Sequence, residues 1–305
     1  MDPRSAPIGI NRRNQGIVEA RLALLASSTA DWWLTHGVDA SNGGFYGTLD
    51  AQGNSVTPRN KGLIQQSRHL WTFSMYYERR GALAAAKAAA DSTYQFLVSH
   101  MRDASDGEFY FKVNETGTSV VDSKKQLYAE GFAIYALAEY GRVFNLQAAK
   151  DYALACFRHM DARAHDVTNG GYDQRNDVSM PSGAEKETNT HIHLMEAFTA
   201  LYEATNDATV GLRLNEMIDV VAKRLLQPTN YVAQYFKVDW MNRLESTLKW
   251  IEARRDPAYG EWYWGHRPDG SIGSHGTNKG EEWKASYHNL RALVFAGDWV
   301  HGTSN

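Results

Sequence analysis

A single cysteine, Cys156, among 305 residues excludes a disulfide framework within the chain and fits a reducing compartment. Its neighbours, Tyr152 to Ala155 and Phe157, form an apolar helical run, so the thiol reads as a small buried hydrophobe rather than a nucleophile. Charge of one sign is also lacking. A formal net charge of -3 gives no electrostatic reason to expect nucleic acid or an anionic membrane as partner. No hydrophobic run reaches spanning length, and the stretch from Met1 to Pro7 lacks the apolar core of a secretion signal. Together these absences lead to the expectation of a soluble, cytoplasmic protein. The glycine patterns of P-loops and dinucleotide folds are missing, as is a nucleophile elbow, which excludes the corresponding phosphate-binding and acyl-transfer chemistries.

What the chain does have is aromatic residues, with 9 tryptophans and 16 tyrosines, and 43% hydrophobic residues, enough for a sizeable core. Helical spacing of apolar positions covers 14–36, 61–79, 82–101, 124–143, 146–163, 187–204 and 208–226. Between alternate helices stand glycine-opened aromatic strands: Gly43 to Gly47, Gly107 to Phe111, Gly170 to Asp173 and Ala233 to Phe236. The first two run into turn signals, Asp50 to Gly53 and Asn114 to Gly117, and read as hairpins.

Phe45, Phe109, Tyr172 and Tyr235 recur with a period of about 63–64 residues, the mark of a repeat architecture with two helices and a hairpin per unit. Helix pairs repeated in this way close into an all-α toroid of (α/α)6 type, with inner helices lining a bowl and short β-hairpins at its mouth; a loose array without closure is the other solution. The rhythm then breaks. The next such strand, Tyr259 to Trp264, follows Tyr235 after only about 27 residues, room for one helix (241–254) and not two. The reading is a tail at 1–13 and one barrel domain at 14–305 that is incomplete, with an internal deletion near 240–241.

Several ionisable groups sit in segments that otherwise look like core helix. Arg68 lies among Leu63, Leu70, Trp71 and Phe73, where a guanidinium needs an acceptor, either a carboxylate of the protein or sugar hydroxyls. His69 beside it points elsewhere and reads as structural. His191 and His193 are two apart and cannot share a helical face, which argues against a helical zinc pair, so no metal is expected. Asn189 and His193 do share a face, and an amide with an imidazole can hold vicinal hydroxyls. His288, in Tyr287-His288-Asn289 after Trp283-Lys284, opens the last helix; it is either part of a cap or an imidazole that removes and returns a proton near neutral pH. Tyr128 offers a phenol on a similar helix. A spaced carboxylate pair for glycoside hydrolysis is not evident, although Glu196, Glu261 and Glu282 stay open individually.

Five segments, in this order, resemble the N-acylglucosamine 2-epimerase superfamily, most closely its cellobiose 2-epimerase branch: 61–73, 125–133, 189–197, 256–262 and 283–289. The resemblance runs from about Ile17 onward and implies a six-pair α/α barrel that works on an aldose at C2 without a cofactor, on a mono- or disaccharide, through an enediolate. It assigns His288 to the C-terminal acid–base histidine and Arg68 to the arginine steadying the oxyanion. His193 and Asn189 match groups around C1 and C2, and Tyr128 and Trp283 match pocket walls. The family's other catalytic histidine stands in a Gly-His-Asp segment that this sequence lacks, in a stretch of about a hundred residues missing where the period breaks. The rival readings are a sugar-binding protein without turnover, an α/α-barrel glycoside hydrolase, and a product of skipped coding sequence. An opened barrel also has reason to self-associate, which makes a homo-oligomer an expected partner.

Overall fold

Apolar periodicity forms helices where the sequence places them. A computed structural model describes residues 12–81, 83–173, 186–222, 248–249, 252, 255–256, 258, 260–262 and 285–301. Eight α-helices lie among these: α1 (Arg12–Trp32), α2 (Leu63–Arg79), α3 (Ala84–Phe96), α4 (Leu127–Val143), α5 (Gln147–Ala164), α6 (Thr188–Thr205), α7 (Ala208–Val220) and α8 (Tyr287–His301). π-Helical turns prolong α1 through Trp33–Gly37 and α3 through Leu97–Met101. The deletion expected near 240–241 and the aromatic strand at Tyr235 fall outside the described residues.

The helices are of two kinds. α2 and α4 are buried almost throughout, their polar residues included, which places them inside the molecule. α1 and α7 leave large apolar side chains such as Leu24 and Leu212 exposed. Packing follows pairs: α3 on α2, α5 on α4, α7 on α6 and α1 on α8, while α4 touches both α2 and α6, and α8 touches α2. The inner layer is therefore α8–α2–α4–α6, backed by an outer layer, as a toroid of (α/α)6 type requires. The central core is built from α2, α4, α5 and α6, with Phe73, Phe132, Phe157 and Phe198 fully enclosed. Among the described residues no helix is long and apolar enough to cross a membrane.

The aromatic segments expected to be strands turn out to make single bridges. Val38 pairs with Phe45, Arg102 with Phe109 and His165 with Tyr172, each by one isolated antiparallel contact. The residues flanking each pair make the bridge hydrogen bonds, so the aromatic N–H points away from that partner and is met by a side chain of the next inner helix. Phe45 N–H donates to Gln66 Oε1 at 2.9 Å, Phe109 N–H to Glu130 Oε1 at 3.1 Å, and Tyr172 N–H to His191 Nε2 at 3.0 Å. Two of these approaches need glycine: a Cβ on Gly44 (φ +66°) would meet Gln66 Oε1 at 2.6 Å, and one on Gly171 (φ +75°) would meet His191 Nε2 at 2.8 Å. True strands form elsewhere, as an antiparallel sheet of β1 (Lys61–Gly62), β2 (Lys112–Val113) and β3 (Val120–Asp122), and as the pair β4 (Arg255–Asp256) and β5 (Gly260–Trp262). In that last pair Arg255 faces Trp262, as Val38 faces Phe45.

A second device recurs beside the first. Lys61, Lys125 and Lys186, each just ahead of an inner helix, reach back to Asp39, Asp103 and Asp166 in the turn before the aromatic residue. In the first repeat both partners are fully buried, Lys61 Nζ lies 2.8 Å from Asp39 Oδ2, and the ammonium also donates to the Gly43 carbonyl at 2.6 Å. Removing one member of a buried pair leaves an uncompensated charge, at a cost of about 3–5 kcal/mol. Lys61→Met is therefore expected to lower unfolding stability by about that amount, read as a reduced urea midpoint with an unchanged slope by circular dichroism.

Candidate functional site

Each inner helix brings one candidate group to the same end of the layer. Arg68 stands in the second turn of α2, Tyr128 in the first of α4, His193 in the second of α6 and His288 in the first of α8. The clamps described above fix this height: Arg68 lies two residues after Gln66, Tyr128 two before Glu130, and His193 two after His191.

Arg68 is 3% exposed and donates from Nη2 to the Tyr128 hydroxyl at 2.9 Å. Its guanidinium lies over the Phe132 ring at 4.5 Å and over Tyr287 at 5.6 Å. The sequence left a carboxylate or a sugar as its acceptor; the structure supplies a phenol and aromatic faces, which suit a weakly hydrated cation. The His193 ring stands edge-on to Tyr128 at 5.1 Å and tilted against Phe132 at 4.9 Å. Its Nδ1 lies 2.8 Å from Glu196 Oε2. The other oxygen of Glu196 accepts from Arg291 on α8 at 3.0 Å, so one carboxylate links the two inner helices.

His288 is exposed and packs edge-on against Tyr287 at 5.0 Å. Burial of its inward face, then the cations Arg68 and Arg291 and the neighbouring His193, pull its pKa down to about 4 against a small opposing effect of Glu196. His288 is thus a neutral imidazole at ordinary pH, able to accept a proton. Glu196 keeps its charge in spite of burial, because the hydrogen bond from His193 and the Arg291 cation hold its carboxyl below the usual value. Burial first, and then Glu196, push the Tyr287 phenol up to about 12.

The other candidates divide. Asn189 is exposed at the start of α6, one turn ahead of His193. Trp283 and Glu282 fall outside the described residues. His69 is structural, as expected: it stacks on Phe45 at 3.8 Å, its Nδ1 lies 3.0 Å from Ser286 Oγ, and burial holds its pKa well below the normal range. His191 turns away from His193 and serves a clamp, with Nδ1 donating to the Glu187 carbonyl at 2.7 Å. Glu261 is fully buried and accepts from the Trp33 indole at 2.7 Å and from Asn289 at 2.6 Å, a joint between α1, β5 and α8. Cys156 is buried and donates to Glu130 at 3.1 Å, and its thiol pKa is raised by burial.

Glu196 was open in the sequence only as one isolated carboxylate, and Arg291 was not singled out. The available signals were spacing: Glu196 is one turn from His193, and Arg291 one turn from Tyr287 and His288. A cavity of about 590 Å³ lies on the far side of this pair, lined by Trp71, Tyr135, Glu139, Glu196, Arg291 and Phe295. Arg68, Tyr128, His193 and His288 are not among its walls. Away from the site, Asp106, Glu108 and His159 bring potential metal-ligand atoms within 4.8 Å of one another. Arg163 binds Glu108 at 2.7 Å and Lys125 lies 3.6 Å from Asp106, so positive charge is already supplied there.

The N-acylglucosamine 2-epimerase (GlcNAc 2-epimerase) family profile matches residues 44–255. Cellobiose 2-epimerase from Bacteroides fragilis is 31% identical over 72% of this chain and 58% of its own length. The D-mannose isomerase of Thermobifida fusca is 24% identical over 58% of this chain and 45% of its own. The chain spans about half to three-fifths of the length of such curated relatives. The structure of cellobiose 2-epimerase from Spirochaeta thermophila superimposes with a TM-score of 0.80 at 24% identity, covering 97% of this chain and 99% of that one, and shows the same α/α-barrel fold.

The electrostatics can be tested without a substrate. An NMR titration of the His288 ring is expected to give a midpoint near 4 rather than the ordinary 6.5. Arg68→Met is expected to raise that midpoint, because it removes a neighbouring cation. The unfolded chain takes up this proton first, so the contribution of His288 to stability falls as pH drops from about 6.5 toward 4.

Proposed function

Since the chain belongs to the N-acylglucosamine 2-epimerase family, we propose that it is a sugar 2-epimerase or aldose–ketose isomerase that moves a proton at C2 of an aldose. The observation that carries this reading is the convergence of a neutral imidazole, His288, with a buried cation, Arg68, and a second imidazole, His193, at one end of the inner helices. A C2 proton next to an aldehyde becomes removable when the negative charge that develops on the carbonyl oxygen is stabilised. Arg68 is suited to that role because a phenol and a ring face hold its guanidinium in a largely desolvated place, where its charge acts strongly. His288 takes the C2 proton, and the enediolate forms as electrons shift from C2 toward O1. Return of a proton to C2 from the other face gives the epimer, and return to C1 gives the ketose.

In this reading Asn189 and Tyr128 hold hydroxyls around the reacting carbons, with Trp283 as a further wall. The substrate class is a free mono- or disaccharide, as the names of the relatives suggest, and the chemistry needs only side-chain acid–base groups. The absence of a Gly-His-Asp segment favours a weakened activity, because a positioned acid–base group typically contributes on the order of 10²–10⁴-fold.

Proton NMR of the protein in D₂O with cellobiose, and separately with mannose, tests the proposal. Deuterium at C2 with a new epimer or ketose is expected, and His288→Ala is expected to reduce exchange on the order of 10²–10⁴-fold. No exchange from a folded, monodisperse sample would favour a sugar-binding protein without turnover. Release of reducing ends from oligosaccharides would favour a glycoside hydrolase instead.

A further inference from the structure

The shared carboxylate of Glu196 has a consequence for His193. A neutral imidazole carries one proton, and the partner of one nitrogen decides where the proton sits. His193 Nδ1 lies 2.8 Å from Glu196 Oε2, and Glu196 stays ionised because Arg291 binds its other oxygen at 3.0 Å. An ionised carboxylate can only accept, so Nδ1 must carry the hydrogen. That leaves the Nε2 lone pair available, and among the described residues Nε2 makes no hydrogen bond.

The surroundings fix the ring as well as the proton. Tyr128 stands edge-on to it and Phe132 packs at a tilt, both from α4, so rotation that would exchange the two nitrogens meets their rings. Arg291 is itself anchored by the Tyr287 hydroxyl and lies over the Tyr287 ring at 5.1 Å. The order is then Tyr287, Arg291, Glu196, His193, running from α8 across to α6.

We propose that Glu196 is a positioning residue, held by Arg291, that makes His193 a base through Nε2 and so gives the site a second proton-transfer group alongside His288. The inference rests on the sugar 2-epimerase reading for its role in turnover, although the geometry of the pair does not. In the step itself, Nε2 accepts the proton of a sugar hydroxyl as the C2–enediolate redistributes. Nδ1–H remains on the ring and Glu196 balances the imidazolium. The same proton then returns to a sugar oxygen, so that His193 and Glu196 end as they began. Among the described residues, the charged and titratable groups around the pair include Arg68 from α2, Tyr128, Tyr135 and Glu139 from α4, and Tyr287, His288 and Arg291 from α8.

Two variants test the proposal on separate readouts. Nitrogen-15 NMR of the His193 ring is expected to show Nδ1 protonated and Nε2 bare in the parent protein. In Glu196→Leu, which has no acceptor, the proton is expected to move predominantly to Nε2. In Glu196→Gln, which keeps an acceptor but loses the charge, kcat is expected to fall about 10²-fold with KM little changed. The acid limb of its kcat/KM profile should move to lower pH, since an imidazolium without its counter-charge loses its proton more readily. Glu196→Asp keeps the charge and should recover part of kcat. A bare Nδ1 in the parent, or an Nδ1 proton that stays in place in Glu196→Leu, would overturn the positioning role. So would an acid limb that does not move in Glu196→Gln, the result expected of a merely structural ion pair. The tautomer is visible with or without turnover. A parent protein with the expected tautomer shift but no exchange at sugar C2 would therefore reject the epimerase reading and leave the pairing of Glu196 with His193 standing.

Discussion

A buried aromatic residue brings its backbone N–H into the core, and that donor must find an acceptor. In this protein the acceptor is a side chain of the following inner helix: Gln66 for Phe45, Glu130 for Phe109 and His191 for Tyr172. The three acceptors differ chemically, an amide, a carboxyl and an imidazole, yet each has the same geometric role. A single hydrogen bond of this kind contributes only about 0.5–1.5 kcal/mol, but leaving the donor unmet costs about 1–3 kcal/mol, so the arrangement is enforced more by its alternative than by its own strength. It sets the rotation and height of α2, α4 and α6 against their turns. Arg68, Tyr128 and His193, each two residues from a clamp, inherit that placement. For the carboxyl of Glu130 the position is electrostatically costly, since burial and the nearby Glu108 raise its pKa to about 8.

The same economy governs charge. Lysine–aspartate pairs occupy the turns, while the carboxylate of the bowl is kept for a histidine and an arginine. Arg68 rests on a phenol and two ring faces, and its field acts on its neighbours. His288 feels that field directly, and with burial it stays neutral where a free imidazole would begin to charge. An environment that lowers the pKa of a base also makes it a weaker base, so the same cations that hold His288 unprotonated must compensate by stabilising the enediolate that proton removal creates. This couples Arg68 to His288 in the proposed reaction: the cation shapes both the readiness of the base and the stability of its product.

Helix positions were legible because burial imposes a period of 3.6 residues, and the readings at 61–79, 124–143 and 187–204 match α2, α4 and α6 to within a turn. The aromatic segments read as strands because β-propensity reports residues that fit a half-buried extended surface, whichever partner takes their N–H. Only the pairing of Gln66, Glu130 and His191 with residues some twenty positions earlier reveals the clamp, and pairing of that range leaves no local pattern. Arg68, His193 and His288 stood out as ionisable groups in apolar helices. Arg291 did not, because on a helix that also exposes surface an arginine is unremarkable until its partner on α6 is known. Trp283 could be named from its motif alone and lies outside the described residues.

The inner layer is joined unevenly. α2, α4 and α6 are packed side by side, with leucine, phenylalanine and alanine side chains interleaved. Between α6 and α8 the described link is the Glu196–Arg291 pair, whose side chains are 24% and 28% exposed. Helix packing stabilises by burying many apolar groups, whereas a partly solvated ion pair contributes on the order of 1 kcal/mol or less. Ile192 on α6 and Phe295 on α8 also remain exposed. Among the described residues the Glu196–Arg291 pair is what joins α6 to α8, and that side carries both imidazoles. Relative movement of α8 and α6 would break the carboxylate's hold on Arg291 and change the charge balance around His193 and His288 together. The contact with α8 and the hydrogen bond that holds the His193 ring therefore meet in a single side chain, Glu196.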